Sequence, residues 1–168
     1  DFVDTMKGWA VGAAGTISHT ADGGATWSVQ SSSVTASLHA VAFSSATVGV
    51  AVSSTQGSTS RIIHTTDAGA TWTEVATAAA QLYDVEFADA STVWAVGNTG
   101  IVMKSSDAGA TWSDVSPGGT GLAGVSFVGA QNGWIVGGAG LKGGLERSGE
   151  MHPCTEDPES TSGGAVVV

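Results

Sequence analysis

Thr20-Ala-Asp22-Gly-Gly24-Ala-Thr26-Trp27 is the stretch on which the fold turns, because it comes back twice. It returns as Thr65-Thr-Asp67-Ala-Gly69-Ala-Thr71-Trp72 and as Ser105-Ser-Asp107-Ala-Gly109-Ala-Thr111-Trp112. Outward from each box the pattern continues. Phe2, Phe43, Phe87 and Phe127 are followed seven residues later by Trp9, Val50, Trp94 and Trp134. All 4 Phe and all 6 Trp of the 168-residue chain fall on these three repeat positions. A period of about 40–45 residues is the mark of stacked supersecondary units rather than of one globular core.

Composition narrows the function classes. The 25 glycines and the abundance of Ala, Ser, Thr and Val point to short strands and tight turns. The net charge of −10, with only Lys7, Arg61, Lys104, Lys142 and Arg147 as fixed cations, argues against nucleic acid and against an anionic membrane surface. Cys154 is alone, so no intrachain disulfide forms. No apolar run approaches the ~20 residues of a membrane-spanning helix, and no signal peptide is visible in the chain.

Within a unit the spacing predicts four strands. In the second they are Leu38–Phe43, Gly49–Ser53, Ser60–His64 and Thr71–Val75. In the third they are Leu82–Phe87, Val93–Gly97, Gly100–Lys104 and Thr111–Val115. The first unit starts at the tail of its first strand. The second carries a four-residue insertion around Ser53 to Ser60. No run keeps a helical period between caps. The fourth unit begins normally, with Leu122–Phe127 and Gly133–Gly137, but Arg147 and His152 stand where the box Asp and Trp belong. The expected organisation is therefore repeat units at about 1–33, 34–78, 79–118 and a partial one at 119–140. Residues 141–168 are expected to form a disordered or non-native tail.

Each box residue has a structural task. The Asp at the third position accepts hydrogen bonds from the turn. The Gly at the fifth, Gly24, Gly69 or Gly109, takes a positive φ. The Trp opens the fourth strand and buries its ring against a neighbouring unit. Asp22, Gly24, Thr26, Trp27, Asp67, Gly69, Thr71, Trp72, Asp107, Gly109, Thr111 and Trp112 are thus framework residues.

The string from Gly8-Trp-Ala-Val-Gly12 through Gly15-Thr-Ile-Ser-His to Trp27 resembles the photosystem II assembly and stability factor-like propellers. These are members of the Asp-box (BNR) repeat class, which also holds sialidases and xyloglucan hydrolases. The resemblance covers about residues 1–140. It implies an all-β chain, a partial β-propeller of four-stranded antiparallel blades, here about three and a half of them. It further implies an extracytoplasmic setting (periplasm, thylakoid lumen or secreted) and a protein or peptide partner. A closed propeller takes roughly 4–8 blades, so two chains pairing head to tail into one ring is a further expectation.

Catalytic chemistry finds little support. Sialidase chemistry needs an arginine cluster and a tyrosine nucleophile, but Arg61, Arg147 and Tyr83 are the whole supply. Glycosidase chemistry needs two carboxylates ~5–9.5 Å apart. The acidic cluster worth inspecting is Asp84, Glu86 and Asp89, and strand alternation puts Asp84 and Glu86 on one face. His19 and His64 share a repeat position but lack further ligands at zinc spacing. No metal and no cofactor is expected, and the chain is read as no enzyme. The preferred reading is an interaction scaffold, with Asp84, Glu86, Gln56 and Arg61 as partner-binding candidates. The alternative is a fragment of an extracellular Asp-box glycoside hydrolase, sialidase-like or xyloglucanase-like, whose catalytic blades lie elsewhere.

Overall fold

The structure is a computed structural model that describes residues 1–54, 59–130 and 132–138 together with the strands at 142–145 and 151–153. Among these residues the chain is nearly all β. It forms four antiparallel sheets in sequence order, each a simple meander. The first holds β1 (Gly8–Val11), β2 (Ile17–Thr20) and β3 (Ser28–Gln30), with Phe2 added by an isolated bridge to Gly8. The second holds β4 (Leu38–Phe43), β5 (Gly49–Ser53), β6 (Ser60–Thr65) and β7 (Thr73–Ala78). The third holds β8 (Leu82–Phe87), β9 (Val93–Gly97), β10 (Val102–Ser105) and β11 (Ser113–Asp114). The fourth holds β12 (Leu122–Val128), β13 (Asn132–Gly137), β14 (Lys142–Leu145) and β15 (Met151–Pro153).

The sheets form because each unit alternates β-branched residues with turn chemistry at short spacing. The expectation of no helix meets two short exceptions. Ala13–Gly15 and Asn98–Gly100 are single 3₁₀ turns that close the hairpins between second and third strands. The box Trp stands just ahead of the fourth strand, which begins at Ser28, Thr73 or Ser113.

A difference arises in the fourth sheet. Lys142–Leu145 pairs with β13, and Met151–Pro153 pairs with β14. Both strands lie inside the stretch where the sequence led us to expect a tail. Ladder pairing uses backbone N–H and C=O groups, which Gly and Glu carry like any other residue, while Pro153, without an N–H, stands at the end of its strand. Arg147, Cys154 and the loop residue Gln56 lie outside the described residues.

Packing joins the sheets face to face. The first strands β4, β8 and β12 run side by side, so they are the inner strands of a partial propeller. Between units one and two, Trp9 and Ile17 meet Phe43, Ala51, Ile63 and Trp72. Between two and three, Val50, Val52 and Ile62 meet Leu82, Val85, Val93 and Met103, with Trp112 packed on the outside. Between three and four, Trp94, Val96 and Val102 meet Leu122, Val125 and Ile135. Each seam thus takes a second-strand residue from one unit and a first-strand Phe from the next. The Trp9 ring stacks on Phe43 at 3.6 Å between centroids, and Trp94 on Phe127 at 6.1 Å. The Phe ring also covers the glycine paired with it. At Gly8 a Cβ would stand 2.7 Å from the Phe2 ring, so only glycine leaves room for it.

Candidate functional site

The box turn is built the same way three times. In unit two the Thr65 hydroxyl donates to Asp67 Oδ1 at 2.8 Å and accepts from the Gly69 amide at 2.9 Å. Asp67 Oδ1 accepts from the Thr71 amide at 2.9 Å, and Oδ2 accepts from the Thr71 hydroxyl at 2.7 Å. Asp22 makes the same bonds with Thr20 and Thr26, and Asp107 with Ser105 and Thr111. Hydrogen bonds to a carboxylate favour its charged form. The Thr26 and Thr111 hydroxyls accordingly hold Asp22 and Asp107 down at about 2, and Thr71 lowers Asp67 in the same direction. These carboxylates are locked as acceptors and lack the raised pKa of a general acid.

The fifth-position glycines take the expected positive φ, at +91° for Gly24, +83° for Gly69 and +95° for Gly109. A feature the sequence did not signal sits one residue earlier. Gly23, Ala68 and Ala108 are left-handed too, with φ of 70°, 61° and 60°. In units two and three the carbonyl of that residue meets the preceding unit. The Ala68 carbonyl accepts from Trp9 Nε1 at 3.2 Å and from Gln30 Nε2 at 2.8 Å. The box is therefore a turn and also the latch by which one unit holds the one before it.

The repeated histidine position has a packing role. His19, His64 and Lys104 lie cross-strand from Trp9, Val50 and Trp94. His19 tilts against the Trp9 ring at 4.8 Å, and Lys104 Nζ stands 4.7 Å above the Trp94 ring. Burial pushes the His64 imidazole down, against an opposing pull from the Ala108 carbonyl and Asp107. Among the described residues no three His, Cys, Asp or Glu side chains gather as a metal would need.

The inner strands hold the acidic pair. Asp84 Oδ2 accepts from the Val125 amide at 2.9 Å while Oδ1 accepts from Val85 at 2.9 Å. Glu86 Oε1 accepts from the Phe127 amide at 3.2 Å. Asp1, one residue before Phe2 as Glu86 is before Phe87, accepts from the Phe43 amide at 2.7 Å. These carboxylates bridge adjacent inner strands. Burial raises the Glu86 pKa, and the neighbouring Asp84 adds to the rise. Arg61 pairs with Glu74 across the outer strands β6 and β7 of the second sheet, whereas the inner pair belongs to the third.

Residues that sequence reasoning passed over stand at the bulges of the inner strands. The register of β4, β8 and β12 shifts by one residue between Leu38 and Ala40, Leu82 and Asp84, and Leu122 and Gly124. A bulge re-aims the extra side chain. The extra residues are His39, Tyr83 and Ala123. The His39 ring meets Tyr83 edge-on at 6.0 Å, and its Nε2 lies 3.1 Å from the Gln81 amide nitrogen. His39 is exposed, and Tyr83 and Gln81 are half-buried. A signal for this cluster was present in the fixed place of His39 and Tyr83 directly after a repeated Leu.

This repeat can be placed among known proteins. Residues 1–80 match the family model described as photosynthesis system II assembly factor YCF48. Over those residues, just under half of the chain, the repeat is similar to that family's. No curated protein matches it. Among solved structures, YCF48 bound to a D1 peptide superposes with a TM-score of 0.69 at 20% identity, over 93% of this chain and 52% of that one. YCF48 from Cyanidioschyzon merolae gives 0.54 at 20% identity, over 82% and 49%. The GH74 xyloglucanase from Xanthomonas campestris gives 0.73 at 12% identity, over 92% and 29%. The chain thus spans about half the length of the YCF48 chains it resembles. At these identities the solved structures establish a propeller fold.

Proposed function

We propose that this array is a non-enzymatic scaffold that binds a protein or peptide partner, in a role like that of a photosystem II assembly or stability factor. The observation that carries the reading is the match of residues 1–80 to the YCF48 family, one of whose solved structures holds a D1 peptide. The extracytoplasmic setting belongs to the same reading. No helix among the described residues is long and apolar enough to cross a membrane. The contact surface is the bulged end of the inner strands, where His39, Gln81 and Tyr83 combine aromatic area with hydrogen-bonding groups. Asp84 and Glu86 act on that surface by setting the spacing of the strands. Arg61 would extend it outward.

The test is a titration of a labelled D1 peptide, with a scrambled peptide as control, read by fluorescence anisotropy. Saturable binding of the D1 peptide that falls about tenfold in Tyr83→Ala, a loss of about 1.4 kcal/mol, supports the reading. Equal binding of both peptides, or none, overturns it. The likeness to GH74 xyloglucanases favours a second reading, a piece of an Asp-box glycoside hydrolase. The boxes, the inner-strand bridges and the Arg61–Glu74 pair already engage Asp22, Asp67, Asp107, Asp84, Glu86 and Glu74, so on this second reading the acid and base belong to other blades. Retention of the chain on xyloglucan, together with no binding of the D1 peptide, would restore it.

A further inference from the structure

Each seam has a polarity, with the box of one unit set against the unit before it. At the first seam the Ala68 carbonyl is held by two donors, Trp9 Nε1 and Gln30 Nε2. Neither donor titrates. At the second seam the equivalent carbonyl is that of Ala108, and both donors are gone. Val50 stands in the place of Trp9, and Val75, three residues after the box Trp, in the place of Gln30. What meets the Ala108 carbonyl instead is the imidazole of His64.

That ring is closed in. Val50 and Thr73 are its cross-strand neighbours. A Cβ at Gly109 would stand 2.4 Å from Val50 Cγ2 and 3.3 Å from His64 Cδ2, so the third box presses on both side chains. His64 Nε2 is buried and forms no well-aligned hydrogen bond. Among the described residues the charged group acting on the ring is Asp107 of the facing box, whose oxygens are already taken by Ser105 and Thr111. The rest of the seam is apolar, with Val52, Ile62, Leu82, Val85 and Val93. A proton gained there places a charge in surroundings that solvate it poorly.

We propose that the seam between units two and three is a pH-sensitive joint, loosened when His64 takes up a proton, while the first seam stays latched. Burial holds the imidazole below its ordinary 6.5, outweighing the opposing pull of Ala108 and Asp107. A folded pKa below the unfolded one means that the neutral ring's contribution is complete above pH 6.5 and is lost as pH falls through the folded value. The consequence for binding rests on the scaffold reading given above. His39 belongs to unit two, and Gln81 and Tyr83 belong to unit three, so the contact surface straddles this seam. Loosening the joint parts that cluster, and the surface holds its partner less tightly in acid.

Thermal melts and D1 peptide titrations at pH 7.5 and pH 5.5, on the parent and on His64→Gln, test this. Glutamine stays polar and cannot gain the charge. The Tm of the parent should fall about 3 °C further than that of the variant. Peptide affinity should fall about threefold in the parent alone. An equal fall of Tm in both proteins overturns the joint, whatever the peptide does. A difference in Tm with equal binding supports the joint and overturns its tie to the contact surface. If the peptide binds neither protein at either pH, the scaffold reading fails and the melts still decide the joint. The ring protons of His64 in the parent, followed by NMR, decide it without a substitution: a midpoint below 6.5 is expected, and one at or above 6.5 overturns the joint.

Discussion

The box of unit one and the box of unit two are the same object in different surroundings. Their internal hydrogen bonds agree partner for partner, from the Thr20 and Thr65 hydroxyls to the Thr26 and Thr71 amides. Only the covering differs. Unit one packs onto Trp72, whereas no described residue of a preceding unit packs onto Trp27. The turn thus forms from local chemistry alone, and the Trp adds to stability only where a neighbour covers it. Local folding and seam formation are separable contributions of the same eight residues.

Truncating the two tryptophans is the strongest way to break this comparison. Trp72→Ala empties a packed seam and should cost about 3–5 kcal/mol, as large-to-small core changes do. Trp27→Ala should cost about 1 kcal/mol or less. Urea melts of both variants measure the gap, and equal losses would mean that covering contributes no stability. Next in size is the glycine pair. Gly69→Ala forces a Cβ into the Gln30 side chain at a positive φ, whereas Gly24→Ala meets only ordinary van der Waals contact with Trp27 at a similar φ. We expect about 3 kcal/mol for the first and about 1 kcal/mol for the second, since the left-handed conformation alone costs about that much.

The carboxylates sharpen the comparison from the other side. Asp22→Ala and Asp67→Ala remove equivalent bonds and should lower Tm equally, whatever the covering. The folded pKa values of Asp22 and Asp107 lie near 2, below the ordinary 3.8. Their stabilisation is therefore complete above pH 4 and lost as pH falls toward 2. A melt series from pH 5 to pH 2 should show this decline in the parent and a shallower one in Asp22→Ala. Glu86 has the opposite sign, because its folded pKa is raised. Its contribution is fully present below about pH 4.5 and diminishes as pH rises through the folded value. Glu86→Gln keeps the acceptor for Phe127 and should raise Tm by about 2 °C at pH 8, with no gain at pH 4. The smallest effect belongs to Ala68→Gly. Relief of the left-handed alanine and the greater freedom of the unfolded glycine oppose each other, each at about 1 kcal/mol, so stability should move by less than that.

The repeat, the strands and the box bonds were legible in the sequence because they depend on residues close along the chain. Leu38–Phe43 and Val93–Gly97 have their expected bounds, since both ends are marked by repeated Leu, Phe or Gly residues. What was not legible lies between units. Asp84 and Glu86 share a face as alternation implied, but their attachment to Val125 and Phe127 depends on a strand 41 residues away. Ala68 shares its left-handed backbone with Gly23 and Ala108 of the other boxes, and nothing near it along the chain announces that its carbonyl is taken by Trp9 and Gln30 of another unit. β14 and β15 follow no repeat in the sequence, and what joins them to β13 is backbone pairing, β14 to β13 and β15 to β14.

The polarity of the seams also bears on how such a chain can change over generations. Every unit brings the front half of one seam and the back half of the next, so a duplication or loss of one whole repeat leaves each remaining junction with matched halves. Blade number can then drift by unequal recombination without any compensating substitution. Sequence within a unit stays answerable mainly to the two surfaces it must present.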